Sequence, residues 1–209
     1  MRDVQVAPAH YAFERYDDLE RWSSYWHQVR SALRLSPASV LEIGAGTGVF
    51  GAYLRTAGVD VKCADIDDTR QPDFKADVAN LDDSLPAGMQ FDVVAAFQVL
   101  EHLPFDRLDD CLAGIARRTR KFALISLPYH GLHIHFSFSF GPLRLAFGFS
   151  IPWPWRKRFD GQHHWELGVG YPVREITRRM AAHFHVVQHR VIPENPYHRL
   201  WILEARRPG

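Results

Sequence analysis

The chain has 209 residues, 46% hydrophobic and 13% aromatic, which excludes a disordered chain and suits one domain with a sizeable core. Its net charge of +1 hides an asymmetry: residues 1–110 carry 10 Lys+Arg against 19 Asp+Glu, and residues 111–209 carry 15 against 5. Nine of the 12 His lie in the second part, so the two parts are expected to face different chemistry.

In chain order, residues 17–35 read as an amphipathic helix, with Leu19, Trp22, Trp26, Val29 and Leu33 near helical spacing. Val40–Ile43 is a short apolar run followed by three glycines. Residues 49–58 read as a helix ending at Gly58. Val59–Ala64 is a strand running into Asp65, and a weaker strand lies near 74–76. Residues 91–100 begin as a strand, 107–118 are a helix, and 122–127 are another buried strand. Residues 171–184 look helical, helped by Pro172. Two closing runs, HVVQHRV and LWILEAR, read as strands joined by a turn. This alternation predicts an α/β domain, doubly wound around a mostly parallel sheet, with one antiparallel strand from the terminal pair.

Residues 129–170 break the alternation and read as an aromatic-rich insertion after the fifth strand, of the kind that tends to carry function. Residues 122–155 hold one formal charge, Arg144, but prolines and glycines interrupt them, so a spanning helix is not expected. Cys63 and Cys111 are too few for a disulfide framework or a zinc quartet and read as buried thiols in a reducing compartment. MRDVQVAPAH has no apolar core of a signal peptide, so a cytoplasmic protein without a secretory leader is expected.

Glu42-x-Gly44-x-Gly46-x-Gly48 follows a strand and opens a helix. Glycines there allow a sharp turn and close approach of a ligand to free helix N–H groups. The spacing departs from the dinucleotide fingerprint, because residue 49 is Val. A carboxylate at Glu42 would repel a pyrophosphate and suit a ligand with a positive amino group and a sulfonium. Asp65 stands at the end of the second strand, where a carboxylate accepts from ribose hydroxyls.

At these residues the sequence resembles the class I S-adenosylmethionine-dependent methyltransferases. VLEIGAGTG matches their first motif, and ADI (64–66), ADVANL (76–81), FDVVAAFQVLEHL (91–103) and ALISLP (123–128) follow in the family's order. The resemblance implies a Rossmann-like seven-stranded sheet, with S-adenosylmethionine as cofactor and S-adenosylhomocysteine as product. It places Gly44, Ala45, Gly46 and Gly48 on the methionine part and Glu42 near its amino group. Asp65 would hold the ribose, with Ile66 against the adenine. Asp77 and Val78 would lie at the adenine edge, and Phe97 and Gln98 near the sulfonium.

Methyl transfer to oxygen or nitrogen needs alignment, exclusion of water and, for some acceptors, a base. His102 and His130 follow the fourth and fifth strands at the edge where ligands bind, which makes them the candidate bases. The quinone-pathway members place Glu-x-x-Glu-His after the fourth strand, where they hold a divalent ion. Here Gln98 replaces the first Glu, although Glu101 and His102 match. His133-x-His135 and His163-His164-x-Glu166 invite a metal reading too, but no Cys or Asp joins them in sequence and no metal is expected. The Asn/Asp-Pro-Pro-Tyr motif of nucleic-acid amino methyltransferases is absent, which disfavours a nucleic-acid acceptor.

The insertion is expected to decide the acceptor. Tyr129, His133, His135, Trp153, Trp155, His163, His164 and Trp165 are the candidate acceptor-binding residues. Phe136, Phe138 and Phe140 alternate with Ser137 and Ser139, and Trp153-Pro154-Trp155 precedes Arg156-Lys157-Arg158. Three readings fit: a lid over an apolar or anionic small-molecule acceptor, a peripheral membrane contact serving a quinone-like or lipid-linked acceptor, or plain packing. A binding module that keeps the fold without catalysis is a further alternative, against which Glu42, the three glycines and Asp65 all stand.

Overall fold

A computed structural model describes residues 13–206 of the chain. The ten residues that bear on the secretory leader lie outside them. A short helix, α1 (Phe13–Tyr16), precedes α2 (Leu19–Arg34). Asp18 caps α2 by accepting from the Arg21 N–H at 2.7 Å.

The alternation then unfolds as β1 (Ser39–Ile43), α3 (Val49–Thr56), β2 (Asp60–Asp65), β3 (Phe74–Lys75), α4 (Leu81–Ser84), β4 (Phe91–Phe97), α5 (Leu108–Arg118) and β5 (Thr119–Pro128). A β-ribbon follows, β6 (Gly131–Phe140) and β7 (Leu143–Pro152), and then α6 (Val173–His183), β8 (Phe184–Ile192) and β9 (Asn195–Ala205). Seven strands form one sheet in the order β3-β2-β1-β4-β5-β9-β8, and among the described residues β6 pairs only with β7. All pairs among β1 to β5 are parallel. β9 runs antiparallel to both β5 and β8, so it is the single reversed strand expected from the terminal pair.

The strands read as continuous apolar runs because both faces of the sheet are covered. Adjacent residues Val40 and Leu41 are both fully buried, yet they belong to opposite layers. Val40 packs with Ala32 of α2 and Phe50 and Leu54 of α3. Leu41 packs with Leu112 and Ile115 of α5 and Ile176 and Met180 of α6. Cys63 and Cys111 are buried, free thiols, and no helix among the described residues is long and apolar enough to cross a membrane.

From β1 the chain winds outward to β2 and β3, then returns to β4 and β5 on the other side. The order therefore reverses between β1 and β4, and the loops after these two strands open a crevice at their C-terminal ends. The glycine segment and residues 98–102 both start there.

Candidate active site

β1 ends in three glycines with positive φ: Gly44 at 72°, Gly46 at 53° and Gly48 at 78°. A side chain at Gly44 would also meet Val99, with a Cβ 2.6 Å from its Cγ2, so this turn admits only glycine. Asp65 ties the loop to β2. Its Oδ2 accepts from the Ala45 N–H at 3.0 Å and its Oδ1 from the Asp67 N–H at 2.9 Å. These bonds orient the carboxylate while leaving each oxygen further lone pairs for a ligand hydroxyl. Asp77 caps its own turn, accepting from the Ala79 N–H at 3.0 Å. Gln98 leaves β4 at φ 58°, an uncommon conformation for a non-glycine residue. Its N–H donates to the Ser126 carbonyl and its side-chain amide to the Ser126 hydroxyl, both at 3.1 Å.

These elements border a cavity of about 290 Å³. Gly44, Gly46, Asp65, Ile66, Asp77, Val78, Phe97 and Gln98 line it, so eight of the expected cofactor residues meet in one space. Ala45 and Glu42 instead border an adjoining cavity of about 40 Å³ under the glycine loop. Gly48 lines neither and opens α3 as its N-cap. Glu42 is buried beside Gly51 and Arg55 of α3. Burial pushes its carboxyl up to about 8, against the Arg55 charge and the Gly51 N–H, which favour the ionised form.

The cavity is also bordered by Tyr16, Arg21, His102, Gln162, His163, Tyr197 and His198. The rings of His102 and His163 meet edge-on, 4.8 Å apart, and His102 Nδ1 lies 3.2 Å from the Gln162 carbonyl oxygen. His163 Nδ1 is 2.8 Å from Glu166 Oε1, and the same oxygen lies 3.0 Å from Lys157 Nζ. Burial pulls the His163 pKa down, but the Glu166 bond and the charges of Glu101, Glu166 and Asp160 outweigh it, so it is raised. Burial raises Glu166, and its bonds to His163 and Lys157 reverse this, holding it below the usual range. Arg21 stacks its guanidinium 3.8 Å from the centre of the Tyr16 ring, and both residues line the cavity.

Glu101 stands behind these histidines. It is fully buried, and neither carboxylate oxygen has a hydrogen-bond partner among the described residues. Burial pushes its pKa up to about 7. One ligating atom from each of Glu101, His102 and His163 lies within 4.8 Å of the other two, as does a second set, Asp160, His163 and Glu166. Either set has the donor chemistry for a divalent cation.

The insertion behaves differently from a lid made of its aromatic residues. Of the eight acceptor candidates only His163 lines the cavity. Trp165 is fully buried and donates its indole N–H to the Leu103 carbonyl at 3.0 Å, so it is a core residue. Tyr129 lies under the Arg199 guanidinium, and His133 bonds to Ser150 at 2.9 Å. His135 is exposed on the ribbon, and His164 packs on Phe159. Trp153 and Trp155 stack on each other at the surface, 5.4 Å apart. His130, the second candidate base, does not line the cavity and sits 3.9 Å from Glu166. Arg21, Tyr16, Tyr197 and His198 were not foreseen. They come from α1, α2 and β9, far in sequence from the glycine segment, and no local pattern marks them.

A family model described as a methyltransferase domain matches residues 10–137. The chain belongs to the methyltransferase-domain family. Comparison with curated proteins finds no match. Among solved structures, this methyltransferase is similar to DesVI of Streptomyces venezuelae, with 15% identity over 96% of this chain and 99% of that one and a TM-score of 0.63. It is also similar to the magnesium protoporphyrin IX methyltransferase of Synechocystis, solved with S-adenosylhomocysteine, with 14% identity over 98% and 90% and a TM-score of 0.61. The 1,6-didemethyltoxoflavin-N1-methyltransferase of Burkholderia thailandensis, solved with bound 1,6-didemethyltoxoflavin and S-adenosylhomocysteine, shares 20% identity over 99% and 94%, with a TM-score of 0.59. These likenesses establish the class I methyltransferase fold for the chain.

Proposed function

We propose that this protein moves the methyl group of S-adenosylmethionine to an oxygen or nitrogen of a small acceptor, with His163 as the base. The observation that carries the reading is a single cavity bordered both by the cofactor motif residues, Gly44, Asp65 and Asp77, and by His163, whose ring Glu166 orients from behind the lining. Solved relatives of the same fold carry S-adenosylhomocysteine, and two are named for porphyrin and toxoflavin-type acceptors.

S-adenosylmethionine held by Gly44, Gly46, Asp65 and Asp77 would supply an electrophilic methyl group, which the acceptor would take in exchange for the proton it gives up, with S-adenosylhomocysteine as the other product. The acceptor proton passes to His163 Nε2. Nδ1, held by Glu166, keeps the other proton and fixes the tautomer. Arg21 gives the acceptor side a positive charge, which favours an acceptor bearing an anionic group. The lid role falls to Gln162–His163 and to Tyr16 and Arg21 rather than to the aromatic ribbon.

Calorimetry tests the cofactor half. S-adenosylhomocysteine should bind, and Asp65→Ala should weaken it by about tenfold or more, the loss of charge-assisted hydrogen bonds. A folded protein that binds neither S-adenosylmethionine nor its product overturns the reading. Transfer of a labelled methyl group, screened over phenols, amines and carboxylic acids, tests the base. His163→Ala should lower kcat by about 10²-fold or more. Glu166→Gln should move the acid limb of the rate profile to lower pH, because the carboxylate raises His163. An unmoved limb removes His163 from the role.

A further inference from the structure

The ribbon β6–β7 is folded with its apolar side outward. Directly opposed residues share a face, and the pairs Leu132/Ile151, Ile134/Phe149, Phe136/Phe147, Phe138/Leu145 and Phe140/Leu143 put ten apolar side chains on one of them. Nine are exposed, from 43% at Leu145 to 75% at Phe140. The other face carries His133, Ser137, Ser139, Arg144 and Ser150. At the base of the ribbon it is this polar face that meets the domain, while Ser137, Ser139 and Arg144 further out are exposed. Ser150 donates to the Pro196 carbonyl at 2.8 Å, and Gly148 lies so close to the β8–β9 turn that a Cβ would stand 2.3 Å from the Pro193 carbonyl oxygen. A contiguous apolar surface of this size needs an occupant.

We propose that this face seats the protein on the surface of an anionic lipid bilayer, with the phenylalanines and leucines in the upper acyl region. Charge supports this occupant. Residues 131–159 contain Arg144, Arg156, Lys157 and Arg158 and no Asp or Glu. Lys157 turns inward to Asp160 and Glu166, while Arg144, Arg156 and Arg158 are exposed. The stacked Trp153 and Trp155 stand exposed next to this cluster, as aromatic side chains do at a lipid interface. A second copy docked ribbon to ribbon would bring no acid to these cations, since residues 131–159 hold none. A protein partner would find no polar side chain on the face to direct hydrogen bonds, which protein interfaces normally supply. Among the described residues the ribbon pairs with no third strand, so its outer backbone groups stay satisfied only at headgroup depth. It therefore lies flat, with the apolar face down and Ser137, Ser139 and Arg144 up among the headgroups.

The test is co-sedimentation of the full chain with phosphatidylcholine vesicles, with and without phosphatidylglycerol. Wild type should bind the anionic vesicles in preference. Phe138→Ser/Phe140→Ser/Phe147→Ser should reduce partitioning by about tenfold or more, and Arg144→Glu/Arg158→Glu should remove the preference for anionic lipid. Thermal unfolding and S-adenosylhomocysteine calorimetry keep these results separate from folding and from the methyl-transfer reading, since neither variant touches the cavity. Wild type that fails to sediment, or equal sedimentation of wild type and the triple variant, overturns the proposal. So does a concentration-dependent dimer that the triple variant disperses, which would assign the face to a second copy.

Discussion

Glu101 is a carboxylic acid whose surroundings work against its charge. A carboxylate with no hydrogen-bond partner among the described residues, in a fully buried position, favours its protonated form. Its pKa rises from 4.5 to about 7, so the unfolded chain loses this proton first as pH rises. Its contribution to stability is therefore greatest below about 4.5, falls as pH climbs, and levels off above about 7. His163, also raised, adds in the same direction: its stabilisation is present below about 6.5 and is lost as pH rises through its folded value. Glu101→Gln should flatten the decline between pH 5 and pH 8 and raise Tm at pH 8 by about 4 °C, roughly a 1–2 kcal/mol gain, as read by thermal unfolding across pH. A divalent cation on Glu101, His102 and His163 reverses the expectation. The wild type would then gain stability with pH, and a chelator would remove the gain.

At the scale of elements, the succession of strands and helices along the chain, the glycine turn and the eight cavity-lining residues expected at the cofactor were legible because each is written in a short window. Apolar runs mark buried strands, and glycines mark positive φ. Packing across the sheet was not legible. Gly51 looks like an ordinary weak point in α3, yet a Cβ there would stand 2.5 Å from Glu42 Oε2 and 3.2 Å from an Arg55 nitrogen. The helix gives up about 1 kcal/mol of propensity at this position to make room for a buried carboxylate. Gly51→Ala should thus fail to deliver that gain, and destabilise by about 1–2 kcal/mol in denaturant unfolding. In the Glu42→Ala background the same change should become neutral or stabilising. A double-mutant cycle without coupling between the two positions would show that Glu42 simply swings aside. The aromatic insertion failed to resolve for a related reason. Trp165 and Trp153 have the same composition-level signature, but one has its N–H satisfied in the core by Leu103 and the other stacks at the surface. Only the tertiary partner of each indole separates them.

For the whole molecule, the charge asymmetry maps onto architecture. The acidic part builds β1 to β4 and carries the eight cavity-lining residues expected at the cofactor. The basic part carries the ribbon, and also His163, Tyr197 and His198, which line the same cavity. The ribbon itself stands apart from this division, because none of its residues lines the cavity. Its two ends close on each other as direct partners, Gly131 with Pro152. Its anchoring contacts, Ser150 to Pro196 and His133 to Ser150, lie near the base. His135 and Gly148 are also direct partners, so residues 136–147 can be replaced by an Asn-Gly turn that continues the pairing. The shortened protein should keep its S-adenosylhomocysteine affinity within about twofold and its Tm within about 3 °C, since the removed side chains are mostly exposed and little core is lost. Its solubility should rise, because the removed segment holds Phe136, Phe138, Phe140 and Phe147, each more than half exposed. A large fall in Tm or loss of cofactor binding in the shortened chain would mean that the ribbon is coupled to the domain through more than its base. The separation of a catalytic body from an outward apolar arm would then not hold.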